Sequence, residues 1–213
     1  MTEKLLSMIG ERYPIQEIDV GPYGTIKAKG MVFSARAFEA QGLGHISVMQ
    51  AKGFFSLMKM DTLIVNPKEL DLPLYSYDRI LAMGNDTLII ELYDTMVEAC
   101  PMDAIHGVNA KYESLPERDP GQHWYDSIKL PESVSKKGKK LSTRFDAYTT
   151  DFTKAYLSLP AQPVADPEKK REKTNVYVEG LLRNGGPSTD VFKQALGEEK
   201  CAEMFRTVLF GTN

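Results

Sequence analysis

The spacing of chain breakers between residues 15 and 95 constrains this chain more than any other feature. Gly21-Pro22-Tyr23-Gly24, Gln41-Gly42-Leu43-Gly44, Lys52-Gly53, Asn66-Pro67 and Gly84-Asn85-Asp86 separate runs rich in Ile, Val, Phe, Tyr and Thr. Those runs read as strands over Gln16–Val20, Thr25–Ala40, His45–Ala51, Phe55–Val65, Leu74–Met83 and Thr87–Tyr93. A parallel pair needs a crossover of a dozen residues or more, and these links are far shorter. The segment is therefore expected to form an antiparallel meander rather than a doubly wound parallel sheet.

After Asp94 the pattern changes. Thr95–Asn109 reads as a short helix broken by Pro101, and the polar, Pro-containing stretch Glu113–Lys140 as a long connection. Ser142–Leu159 carries Phe145, Tyr148, Phe152, Ala155, Tyr156 and Leu159 at helical spacing. Pro167–Arg183, Ser188–Leu196 and Glu198–Leu209 are further helices, with Pro167 at a helix start and Gly197 at a helix end. Leu5, Leu6, Met8 and Ile9 mark a short N-terminal amphipathic helix with Thr2 as its cap. Strands followed by helices predict an α+β fold. No repeat or linker divides the chain, so a single domain over residues 1–213 is expected.

A net charge of −3 gives no general case for nucleic-acid binding, so no nucleic-acid partner is expected. No apolar run is long enough to span a bilayer, so no membrane partner is expected either. The two cysteines, Cys100 and Cys201, follow no metal spacing and suit a reduced, cytoplasmic protein. The chain has no GxxxxGK[ST], no GxGxxG between strand and helix, no HExxH and no GxSxG, and His45, His106 and His123 are scattered.

Asp78 lies inside Leu72-Pro73-Leu74-Tyr75-Ser76-Tyr77-Asp78-Arg79-Ile80-Leu81-Ala82-Met83. Alternation puts Tyr75, Tyr77 and Arg79 on one side and Asp78 on the other with Leu74, Ile80 and Ala82. On this local pattern alone it reads as a surface acid of an edge strand or as a functional carboxylate among apolar neighbours. Asp61 is a second acid in an apolar run, Met58–Val65. If both acids faced one cavity they would share a titration, and one would stay protonated near neutral pH, ready to donate. Lys136-Lys137-Gly138-Lys139-Lys140 reads either as a solvated loop or as a docking surface for an acidic partner or a clamp for ligand carboxylates. Asn184-Gly185-Gly186-Pro187 reads as a helix end and turn.

Two blocks resemble the ferredoxin-dependent bilin reductases. The first runs from Met58 to Thr95 and contains Leu72–Asp78, the Gly84 turn and Ile90-Glu91-Leu92. The second contains Phe145–Leu159, Tyr177, Asn184, Leu196-Gly197-Glu198-Glu199 and Val208-Leu209-Phe210, and Trp124 falls where that family often has a Trp. The resemblance implies an α/β/α sandwich, an antiparallel sheet flanked by helices. It implies reduction of a linear tetrapyrrole such as biliverdin with no bound cofactor, using single electrons from reduced ferredoxin and protons from side chains. The family's strand aspartate falls on Asp78, its C-terminal polar residue on Asn184, and a strand position that is often His on Asp61. A strand Glu of some members falls near Ser47 or Met49, and Arg79, Lys136 and Lys137 are the candidates for holding substrate carboxylates. Red chlorophyll catabolite reductases are similar but lack a counterpart of the Asp78 block.

The resulting expectation is an oxidoreductase, monomer or homodimer, with Asp78, Asp61 and Asn184 as catalytic residues, a linear tetrapyrrole as substrate and ferredoxin as partner. A non-catalytic tetrapyrrole carrier or sensor is the alternative, and an adaptor using the basic segment is a third reading.

Overall fold

The structure is a computed structural model that describes residues 1–53 and 57–212. Among these, eight strands form one antiparallel sheet: β1 (Ile15–Ile18), β2 (Thr25–Ala28), β3 (Met31–Ala40), β4 (Gly44–Gly53), β5 (Met58–Pro67), β6 (Leu74–Ala82), β7 (Asn85–Tyr93) and β8 (Val134–Gly138). The spatial order is β1-β3-β4-β5-β6-β7-β8, with β2 also paired to β3. From β3 to β7 each strand pairs with the next in sequence, the meander that the short links require.

Three expectations change. The single strand over Thr25–Ala40 is a hairpin, because Lys29 and Gly30 both adopt positive φ and turn the chain. The polar connection before Lys140 contains β8, which pairs with β7 as an edge strand. Its lysines disguise it, as charged edge strands commonly do. Thr2 does not cap the first helix; it lies inside it, buried, and its Oγ1 accepts from Gln50 Nε2 at 3.2 Å. Of the expected strand Phe55–Val65, Phe55 and Ser56 lie outside the described residues.

Helices cover both faces. α1 (Thr2–Gly10), α2 (Asp103–Lys111) and α3 (Ser142–Leu157) pack on one side, where Leu5, Ile9, Ile105, Phe145, Phe152 and Tyr156 meet Leu63, Tyr75, Tyr77, Leu88 and Ile90. α4 (Pro167–Asn184), α5 (Pro187–Leu196), α6 (Glu198–Met204) and a π turn over Phe205–Leu209 pack on the other. There Tyr177, Val178, Phe192, Met204 and Val208 meet Phe33, Ala35, Met49, Ile64 and Tyr93. The period of two thus divides each strand between two cores. The fold is α+β, an α/β/α sandwich.

The C-terminal π turn is fixed by side chains rising from the sheet. His45 Nε2 donates to the Val208 carbonyl at 2.8 Å, Ser47 Oγ to Leu209 at 2.8 Å and Asn66 Nδ2 to Phe210 at 2.6 Å. These bonds satisfy carbonyls that a helix end would otherwise leave bare.

Candidate active site

Register determines what stands beside Asp78. Ala35, Met49, Thr62, Asp78, Ile89 and Ser135 form one continuous row across β3 to β8. All six point toward the α4–α6 layer. Toward β3 and β4 this face is sealed: Ala35, Ala37, Met49 and Ala51 are buried beneath the helices. Toward β8 it opens, and Met60, Ser76, Asp78, Ile80, Ile89, Glu91 and Ser135 are only half-buried. Asp78 therefore stands on the more open β5–β8 half of this face.

Aromatic residues form a wall beside it. Tyr93, from the end of β7, stacks on Tyr177 of α4 with ring centroids 4.0 Å apart and meets Tyr125 edge-on at 5.6 Å. Trp124 lies against Tyr125 at 5.4 Å and Tyr177 at 6.0 Å, and His123 stacks on Tyr125 at 4.8 Å. Trp124 approaches α4 so closely because residue 180 is glycine; a Cβ there would run into the indole. Its Nε1 is buried with no hydrogen-bond partner among the described residues. Asp78 lies within electrostatic reach of both Tyr125 and Tyr177.

Burial pushes the Asp78 carboxyl up to about 6 from its ordinary 3.8. The Thr62 hydroxyl, which donates to Asp78 Oδ1, opposes that rise, and the Glu91 carboxylate adds to it. Glu91 sits diagonally from Asp78, directly across from Ser76. It accepts a 2.6 Å hydrogen bond from the Tyr93 hydroxyl and lies 3.9 Å from Lys129 Nζ. An acid with its pKa near 6, held among aromatic rings, is equipped to give up a proton at neutral pH. Cations stand at the β8 side. Arg118 Nη1 donates to Ser135 Oγ at 3.2 Å, and Lys137 is exposed one pleat along from Ser135 on the same face.

The other predicted residues are dispersed. Asp61 pairs with Arg79 in register, so it points to the opposite face from Asp78. There it accepts from Gln50 Nε2 at 3.2 Å and meets the N-terminal ammonium at 3.4 Å. The two aspartates do not share a cavity; the residue across from Asp78 on β5 is Thr62. Arg79 also faces away. It is buried against Asp86 in a two-pronged pair, with Asp146 at 3.4 Å and the Phe145 ring 4.8 Å below its guanidinium. Lys136 is buried on that same face and bonds Glu117 and the Leu115 carbonyl. Arg79 and Lys136 therefore reach no ligand beside Asp78. Ser47 is committed to the Leu209 carbonyl, and Met49, although in the Asp78 row, is sealed in the core. Asn184 is the exposed last residue of α4, about 10 Å along the helix from Tyr177. Its side chain engages no partner among the described residues.

Glu91, Thr62, Tyr93, Tyr125, Tyr177 and Arg118 are the residues that sequence reasoning missed. One signal pointed to Glu91. A two-residue turn at Met83–Gly84 sets the β6–β7 register, and parity then puts residue 91 on the face of residue 78. Tyr177 is among the residues that carry the resemblance, but nothing in the sequence places it beside Asp78; Tyr125 and Arg118 arrive from a distant segment with no local pattern to mark them.

No known protein-family profile matches the chain, and no curated protein matches its sequence. Among solved structures, the chain is similar to phytochromobilin synthase from tomato, in complex with biliverdin. The TM-score is 0.79 at 17% identity, covering 99% of this chain and 82% of that one. At that identity the likeness establishes a shared fold.

Proposed function

We propose that this chain is an oxidoreductase of the ferredoxin-dependent bilin reductase type, acting on a biliverdin-like linear tetrapyrrole. The observation that carries the reading is Asp78, a half-buried carboxyl with its pKa near 6 on the sheet face that also carries the Tyr93–Tyr125–Tyr177 cluster. It does so in a chain sharing its fold with a synthase solved in complex with biliverdin. The pigment lies against the β5–β8 face, between the sheet and the Tyr93–Tyr125–Tyr177 wall. Offset stacking on these rings favours a flat conjugated ligand. Arg118 and Lys137 take its carboxylates, in place of Arg79 and Lys136.

An electron enters the conjugated pigment from reduced ferredoxin, and Asp78 transfers its proton to the pigment, so that no net negative charge accumulates there. Asp78 then regains a proton from solvent before the next electron arrives. Glu91, not Asp61, is the carboxylate that acts with it, by adding to the rise that burial gives the Asp78 pKa. Asn184 supplies a hydrogen bond from the helical side. The site uses no bound prosthetic group in this scheme, since the pigment itself accepts the electrons.

An absorption titration with biliverdin tests the reading. Enclosure among aromatic rings should shift and sharpen the pigment's long-wavelength band at stoichiometric protein. A spectrum identical to that of free biliverdin at saturating protein would exclude the reading. A shifted spectrum that never changes under reduced ferredoxin would point to a carrier or sensor instead.

A further inference from the structure

The end of the sheet away from the β5–β6 loop gathers charge that nothing among the described residues neutralises. Here lie the β2–β3 turn, the start of β5, the β6–β7 turn and the exit of β8. Lys27, Val32, Lys52, Lys59 and Leu81 are consecutive cross-strand partners on β2 to β6. Lys52 and Lys59 thus face each other directly, an arrangement that costs stability in a sheet. Lys29 tops the β2–β3 turn, and Lys137, Lys139 and Lys140 stand at the exit of β8. All seven lysines are exposed, and none has a carboxylate within 4.0 Å among the described residues. The acids nearest in register, Asp61 and Asp86, are engaged with the N-terminus and with Arg79.

The same end is unusually apolar. Of six exposed large hydrophobic residues among those described, four are here: Val32, Leu57, Leu81 and Met83, with Met83 87% exposed. Two of the turns hold the wrong residue for their geometry. Lys29-Gly30 and Met83-Gly84 have positive φ at both positions (49° and 73°, 50° and 76°), where Asn, Asp or Gly is favoured first. A lysine and a bare methionine are kept at strained, projecting positions that a relaxed turn would give to Asn.

We infer that this end of the sheet is a docking surface for an anionic lipid bilayer. Five strand spacings separate β3 from β8, roughly 24 Å, too broad an array for one small anion. Its cations are lysines, which are depleted at protein–protein interfaces where arginine is enriched. Lysines near an anionic leaflet are attracted additively, and projecting apolar side chains enter the headgroup region. Turn tips carrying Met83 and Leu57, backed by a row of lysines, match that chemistry. The contact is peripheral and needs no spanning segment; no helix of the described residues is long and apolar enough to cross a membrane. The sequence expectation of no membrane partner rested on the lack of a spanning run, and this inference departs from it. It does not rest on the bilin reading; Lys137 is the one residue that both use, and the tests below do not touch it.

Sedimentation of the full chain with vesicles tests it, comparing phosphatidylcholine alone with phosphatidylcholine plus phosphatidylserine. Binding is expected only to the second, falling steeply with added salt. Each lysine contributes about fivefold in partitioning, so Lys52→Gln with Lys59→Gln should lower it about 25-fold. Met83→Asn relieves the turn, so its melting temperature should hold or rise while vesicle binding falls several-fold. Equal partitioning onto both vesicle types, wild-type binding by these variants, or full displacement by soluble glycerophosphoserine would each overturn the inference. So would retention on immobilised polyglutamate without vesicle binding, which would make the surface a site for an acidic protein.

Discussion

Asp78 joins two properties that oppose each other. Its folded carboxyl titrates near 6 and its unfolded one near 3.8, so the folded state holds more protons between those pH values. Stability therefore falls as pH rises through that window, and the loss is complete above it. The shift corresponds to at most about 3 kcal/mol, reduced by the partial exposure of the residue. Asp78→Asn should accordingly raise the melting temperature at pH 7.5, with the gap closing below pH 4, while slowing reduction of the bound pigment by about 10²–10⁴-fold. Thermal melts and turnover rates on one preparation read both. A variant that is neither more stable nor slower would remove Asp78 from the account. Glu91 adds to the Asp78 pKa through its charge. Glu91→Gln should therefore move the alkaline limb of the rate–pH profile, which follows loss of the Asp78 proton, to lower pH. An unchanged profile would show that the two carboxylates act separately.

At the scale of elements, the site depends on how closely α4 lies on the segment before β8. Gly180 allows the Trp124 ring to touch the α4 backbone. Gly180→Ala sets two effects against each other: about 1 kcal/mol gained in helix propensity and about 1–3 kcal/mol lost to overpacking. The account expects the clash to win, with a lower melting temperature and weaker biliverdin binding, because Trp124 and Tyr125 move together. Stabilisation with unchanged affinity would mean the wall is not built this way. Elements were legible where breakers bounded them. The strands ending at Gly53, Pro67 and Ala82 and the four C-terminal helical segments follow the apolar period closely. The Lys29–Gly30 hairpin was not legible, because lysine is an unusual first residue for such a turn. β8 was hidden because an edge strand with one buried lysine and one exposed lysine looks like a solvated run.

Across the whole molecule, the sandwich and the face on which Asp78 lies could be read from the sequence, but the company Asp78 keeps could not. Alternation along one strand gives the relative faces of Asp78 and Arg79, and the structure agrees. It does not relate Asp61 to Asp78, because the connection between β5 and β6 is long enough to permit either parity. One residue of register sends Asp61 to the N-terminal ammonium and puts Thr62 beside Asp78. The aromatic wall depends on tertiary packing of segments up to about a hundred residues apart in sequence, and no local pattern announces it. The proposed reduction of a bilin on this face of the sheet depends on the Asp78 proton. An anaerobic absorption time course of biliverdin bound to the wild-type chain, started by reduced ferredoxin, tests it most directly. The biliverdin band should disappear as a blue-shifted product band grows, a change that Asp78→Asn delays by about two orders of magnitude or more. A bound pigment whose spectrum stays constant in the wild-type chain, or equal rates in both proteins, would contradict it.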